Sequence, residues 1–150
     1  MASEIKQGET AVGFIDTKEL INKLTPETDI DSFFEEYGDE FIKITPKELL
    51  NEYLVKYDLR VGAVAKLSGQ GEYVYKVFNG ERKASRDILI CIAVGMKLKL
   101  EEAQLLLRVS KFAVLDPRDK RDSVIIFGIK SLYDYDRLNE LLIDKGQSEL

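Results

Sequence analysis

An all-α protein is what the 150-residue sequence predicts, on three observations. Apolar residues recur at spacings of three and four along most of the chain. Helix start and stop signals are frequent. Strand signals are poor, with three Pro, few alternating apolar and polar runs, and no Asn-Gly turn between such runs. The composition, 45% hydrophobic and 33% charged, is an ordinary globular mix.

The elements follow in order. Thr17 precedes an expected helix over 18–24, with Leu20, Ile21 and Leu24 on one side. Asp31 precedes one over 32–37 that carries Phe33, Phe34 and Tyr37. Thr45-Pro46-Lys47-Glu48 combines an N-cap Thr, a Pro at the first helical position and a Glu three residues past the cap. It opens a helix with Leu49, Leu50, Tyr53 and Leu54 on one face. Short helices are expected over 59–67 and 73–79, the second closed by Gly80, the residue best suited to a left-handed C′ position. Ser85 caps a helix over 86–96, which an apolar helix over 100–110 follows. Asp116-Pro117 repeats the cap-then-Pro pattern ahead of 118–130. Asp134 caps 135–145, and Gly146 ends it. Eight or nine mostly short helices result, in an acidic extension over 1–44, a middle domain over 45–110 and a helical hairpin over 111–150 packed on the same core.

Charge divides the chain the same way. Residues 1–44 hold 11 acids and four Lys, a net −7. Residues 45–99 are +4 and residues 100–150 are −2, so the overall −5 conceals a basic middle. That asymmetry points to an anionic partner for the middle, or else describes an ordinary solvated surface.

Whole reaction classes drop out. There is no His, so His-based triads and His metal ligands are excluded. The one Cys, Cys91, permits no internal disulfide and no cysteine-rich zinc site; inside an apolar helix it reads as an inert buried thiol. Gly69-x-Gly71 lacks the third Gly and the preceding strand of a dinucleotide loop. Asp29-x-Asp31 lacks the later ligands of an EF-hand. The expectation is no enzyme, no cofactor and no metal. Residues 1–10 contain Glu4 and Glu9 and no apolar core, so no signal peptide is expected. No apolar run approaches the ~20 residues of a membrane span, which makes a cytoplasmic protein the default.

The middle carries the one specific signal. Two short helices, 59–67 and 73–79, flank Ser68-Gly69-Gln70-Gly71. Asn79-Gly80-Glu81-Arg82-Lys83-Ala84-Ser85 follows, then the apolar helix with Leu89, Ile92, Ala93 and Met96, then Leu98 and Leu100-Glu101-Glu102. This stretch resembles the phage-repressor-like, or Xre-type, helix-turn-helix family over residues 45–110. Val64, Val74 and Val77 match that family's buried positions, and Ser85 matches its cap. Val64 also stands where the family usually has Ala, Ser68 where it has Gly, and Phe78 where Glu is common. The tail is similar to tails of bacterial Xre-like proteins, a similarity that carries no activity.

The resemblance implies a lambda-repressor-like five-helix core with extra flanking helices, and a DNA-binding transcriptional regulator acting as a homodimer on double-stranded DNA. Its second motif helix, 73–79, would enter the major groove. The implied contacts are Gln70, Glu72, Tyr73, Tyr75 and Lys76, with Arg82, Lys83 and Arg86 on phosphate and with Arg60 and Lys66 as weaker backbone candidates. The alternative is a protein-interaction module on the same fold with little or no DNA binding, which the net charge, Glu72 and the long flanks favour.

The flanks invite plain readings first. Phe33, Phe34, Tyr37 and Phe41 form an aromatic stripe that is core or a docking surface for a protein partner, and the acids beside it are a solvated face. Arg118, Lys120 and Arg121 alternate with Asp119 and Asp122, as in local helix-surface pairing. Residues 124–129 are apolar nearly all round, suiting a core or a dimer interface.

Overall fold

The computed structural model describes residues 15–150, and the chain divides into two units, Met1–Ile44 and Thr45–Leu150. The expectation that residues 1–10 form no signal peptide falls outside the described residues. Those residues form nine α-helices and no strand. No helix among them is long and apolar enough to cross a membrane.

In the first unit, α1 (Thr17–Asn22) and α2 (Ile30–Glu36) are short, and a 3-10 turn spans Gly38–Glu40. The cap of α1 is Asp16, whose carboxylate accepts from the Lys18 and Glu19 amides, so Thr17 lies inside the helix. A carboxylate has two acceptor oxygens and a charge suited to the positive end of a helix. Likewise Asp29, not Asp31, takes the N-cap position of α2. Phe33 is buried and anchors an aromatic cluster, with its ring 4.9 Å from Tyr37 and 6.2 Å from Phe41. Phe34 packs edge-on against Phe41 at 5.6 Å, yet both stay partly open to solvent.

The second unit contains α3 (Pro46–Lys56), α4 (Val61–Leu67), α5 (Tyr73–Phe78), α6 (Arg86–Gly95), α7 (Leu100–Val109), α8 (Lys120–Lys130) and α9 (Tyr135–Asp144). The Thr45 capping box forms as expected: Thr45 Oγ1 accepts from the Glu48 amide at 3.2 Å, and Glu48 Oε1 accepts from the Thr45 amide at 3.0 Å. Ser85 caps α6 through the Ile88 amide, and Asp134 caps α9 through the Arg137 amide. The start of α8 differs from the expectation. Asp116 accepts from the Arg118 amide in a tight turn, and Asp119 is the true cap, accepting from Asp122. A Pro after an Asp suits either a turn or a helix start, and here the turn comes first.

Helix α6 is the centre of this unit. It packs against α4, α7 and α9, while α3 closes the far side against α5 and α7, and α8 packs against α7 and α9. Every residue from Leu89 to Met96 is buried. Full burial of an aliphatic side chain contributes about 1.5–3 kcal/mol, so this one helix supplies a large share of the core. Cys91 lies within it, and burial, reinforced by the Asp87 charge, pushes its thiol up to about 12. It stays protonated and unreactive at neutral pH.

Helices α4 and α6 meet almost backbone to backbone. A Cβ on Gly95 would stand 2.8 Å from the Ser68 amide nitrogen and 3.1 Å from the Leu67 carbonyl carbon. Ser68 is itself fully buried; its hydroxyl donates to Ala65 O and accepts from the Gln70 amide, and the Gly71 amide also reaches Ala65 O. Gly69 and Gly71 take φ of +73° and +60°, which turns the chain sharply from α4 into α5.

Among the described residues, Glu102 is one of two carboxylates buried among these helices, with Asp122. Glu102 on α7 accepts from Lys56 Nζ at 2.7 Å, from Tyr57 Oη at 2.6 Å and from the Lys99 amide at 2.8 Å. Burial pushes its pKa up, but those three donors outweigh burial and hold the carboxyl below the usual range. Partial burial, reinforced by its hydrogen bond to that carboxylate, raises the pKa of Tyr57.

Two outcomes are expected. Gly95→Ala should destabilise the fold by about 2 kcal/mol in urea unfolding, because the added methyl meets backbone that cannot swing away. Glu102, with its pKa depressed on folding, stabilises fully above the unfolded value near ~4.3, and this stabilisation is lost as pH falls through the lower folded value. The urea midpoint should therefore drop between neutral pH and about pH 3, and Glu102→Gln should flatten that drop.

Candidate nucleic-acid interface

Helix α5 is short and two-sided. Val74, Val77 and Phe78 are buried, whereas Glu72, Tyr75, Lys76 and Asn79 are exposed at helical spacing along one face. Tyr75 lies over the start of α4: a Cβ on Gly62 would stand 2.9 Å from its hydroxyl. The far end of α5 is held by α3, where the Asn51 side-chain amide donates both to Phe78 O at 3.1 Å and to Lys47 O at 2.8 Å.

The loop after α5 is held from both sides. Tyr73 Oη donates to Lys83 O at 3.1 Å, and the Arg82 amide donates to Lys76 O at 3.1 Å. Gly80, at φ +84°, lies against the Lys47 stem, where a Cβ would come 3.2 Å from Lys47 Cδ. Arg82 and Lys83 are exposed, and so are Arg60, Lys66 and Lys47. From Arg60 to Ala84 the chain carries five cations against two carboxylates, Glu72 and Glu81. Glu81 is turned toward Asn79, whose amide donates to it at 3.1 Å.

The eight residues singled out from sequence therefore separate. Glu72, Tyr75, Lys76, Arg82 and Lys83 present their side chains to solvent. Tyr73 is half-buried and ties the loop to α5. Gln70 turns inward, its amide donating to Cys91 Sγ at 3.4 Å and to Ser68 O at 3.5 Å. Arg86 is withdrawn altogether. Its guanidinium takes Asp122 in a two-pronged ion pair of 3.2 and 2.8 Å, and also donates to Ala113 O and Val114 O. Four of its five N–H groups are engaged, which leaves little for a phosphate.

Arg121 mirrors that arrangement. It grips Asp87 at 3.0 and 2.9 Å and also reaches Ser148 O and Glu149 O. Thus Arg86-Asp87, opening α6, and Arg121-Asp122, opening α8, exchange partners. The alternation of Arg121 and Asp122 with their neighbours reads as local pairing in the sequence; in the structure both residues pair across helices instead. Burial explains the difference, since a buried carboxylate such as Asp122 needs a dedicated cation and a local pair on an exposed face needs none.

Lys47 and Asn51 are neighbours of this face that periodicity does not reveal. Lys47 reads only as part of a capping signature, and nothing local marks Asn51 as the residue that closes α5.

Arg86→Ala should cost about 3 kcal/mol, toward the low end for breaking a buried pair because the Asp116 amide still reaches Asp122 Oδ2 at 3.0 Å. Arg82→Ala and Lys83→Ala should each stay within about 0.5 kcal/mol of the parent in the same urea experiment. No family model, curated protein or solved structure matches the chain.

Proposed function

We propose that the chain is a DNA-binding transcriptional regulator with a lambda-repressor-like helix-turn-helix core over 45–110, acting in the cytoplasm as a homodimer on double-stranded DNA. The observation that carries this reading is the solvent face of α5, with Tyr75, Lys76 and Asn79 exposed in a row and running directly into the cationic loop of Arg82 and Lys83. Such a face suits a major groove, with the loop on the flanking backbone. In this reading Tyr75 and Lys76 approach base edges. Arg82, Lys83 and the neighbouring Lys47 approach phosphates. Glu72 accepts from a cytosine amino group. Tyr73 is a positioning residue that sets the loop. Gln70 and Arg86 take no direct part, because their donors are satisfied within the protein.

A second reading, a protein-interaction module on the same scaffold, is favoured by Glu72 at the head of α5, where a carboxylate repels phosphate. A mobility-shift titration on DNA upstream of the chain's own gene, repeated across salt concentrations, separates the two. The regulator should bind with an affinity that falls steeply with salt. Lys76→Ala with Arg82→Ala should weaken binding and reduce the log–log salt slope by about 0.9 per lost phosphate contact. Binding that the double variant leaves unchanged would sink the assigned face, and no binding to any duplex would favour the interaction module.

A further inference from the structure

We propose that a groove bounded by α3, the end of α5 and the turn after α7 is a binding site for a small amphipathic anion, an organic carboxylate with an apolar body. Its volume is about 400 Å³, within the range of small-ligand pockets. The floor is apolar: Leu50, Val77, Leu89 and Val109, each at most 5% exposed, together with Phe112. The rim is cationic, with Lys47, Arg82, Lys83 and Lys111, and no carboxylate lines the groove.

Two further features point to a ligand with both characters. Ser110, which also lines the groove, has a buried hydroxyl with no hydrogen-bond partner, the one such side-chain atom among the described residues. That hydroxyl is sealed from solvent as the turn stands, so a carboxylate oxygen would reach it only through a small shift of the turn, which would relieve an unfavourable unpaired group. Its chain neighbour Lys111 adopts φ +68°, which folds the backbone so that the Phe112 amide donates to Leu107 O at 2.9 Å. One tight turn thus supplies an ammonium and the aromatic wall. A phosphate group alone would use the rim and leave the floor idle, and a neutral hydrocarbon would use the floor and leave four cations unanswered. A carboxylate on a short aliphatic or aromatic body answers both.

Binding at this groove does not depend on the DNA reading. Its consequence does: Arg82 and Lys83 belong both to the rim and to the proposed phosphate contacts, so a bound anion would neutralise the loop and release DNA.

The probe is decanoate, added to the full chain without DNA and followed by backbone amide shifts and calorimetry, with decanol as the uncharged comparison. Decanoate should saturate at one per chain and move the amides of Val77, Ala84 and Phe112. Decanol should bind at least about tenfold more weakly. Lys83→Glu with Lys111→Glu should weaken decanoate by about tenfold or more, and Ser110→Ala by about threefold, with the thermal transition retained. If the double charge reversal fails to fold, Lys83→Gln with Lys111→Gln makes the same comparison. The proposal is overturned by non-saturating binding, by equal binding of decanol, by indifference to the variants, or by shifts centred on the exposed Phe127 and Leu132 instead of the groove. Because the titration contains no DNA, its failure and a failure of the mobility shift are separate results.

Discussion

The close crossing of α4 and α6 is the constraint on which the rest of the second unit depends. Gly95 lets the two backbones approach so tightly that Ser68 has no room for solvent. With Ser68 buried, its hydroxyl must be satisfied locally, and it is, by Ala65 O and the Gln70 amide. Those bonds and the Gly71 amide on Ala65 O fix the path of the turn. The turn in turn fixes where α5 leaves α4, and so which residues of α5 face outward. A residue larger than Gly at 95 would separate the helices and loosen that chain of consequences from its first link.

A second set of constraints is electrostatic and lies at the other end of α6. The exchange of partners between Arg86-Asp87 and Arg121-Asp122 joins the first turns of α6 and α8. Each bridge is two-pronged, a geometry that fixes direction as well as distance. The acidic partners lie in the first turns of their helices, where the helix dipole favours negative charge. The arginines face the opposite preference, and their carboxylate partners offset it. The tail segment takes part as well, since Arg121 also holds Ser148 and Glu149 through their carbonyls. Core packing aims α5, and these bridges hold α8 against the domain that carries it.

How much of this was legible depends on whether the signal is local. The Thr45 capping box, the Ser85 and Asp134 caps and the left-handed Gly80 and Gly146 are readable because each is satisfied within four residues of itself. Val64, Val74 and Val77 are marked as buried by the positions they match in the resemblance, and they are buried. Asp16, Asp29 and Asp119 displaced the expected caps because each stretch offers two polar residues, and local sequence does not rank them. The long-range partners were out of reach. Arg86 looks like any loop-end cation until Asp122, distant in sequence, is seen beside it, and Gln70 looks exposed until Cys91 is placed beneath it. Lys47 and Asn51 escaped for the same reason, since their roles exist only after α3 packs on the end of α5.

The loop between α5 and α6 connects both functional readings. It is held at Lys83 by Tyr73, at Arg82 by the Lys76 carbonyl and at Gly80 by the Lys47 stem. Three restraints on so short a segment leave its backbone little freedom while its two long cationic side chains remain in solvent. A cation held in this way loses less conformational entropy when it meets an anion than one on a free loop. It also cannot serve two anions at once. A duplex along α5 and a carboxylate in the groove would draw on the same two charges, so their binding would be coupled by competition for the loop, with no change in the fold required.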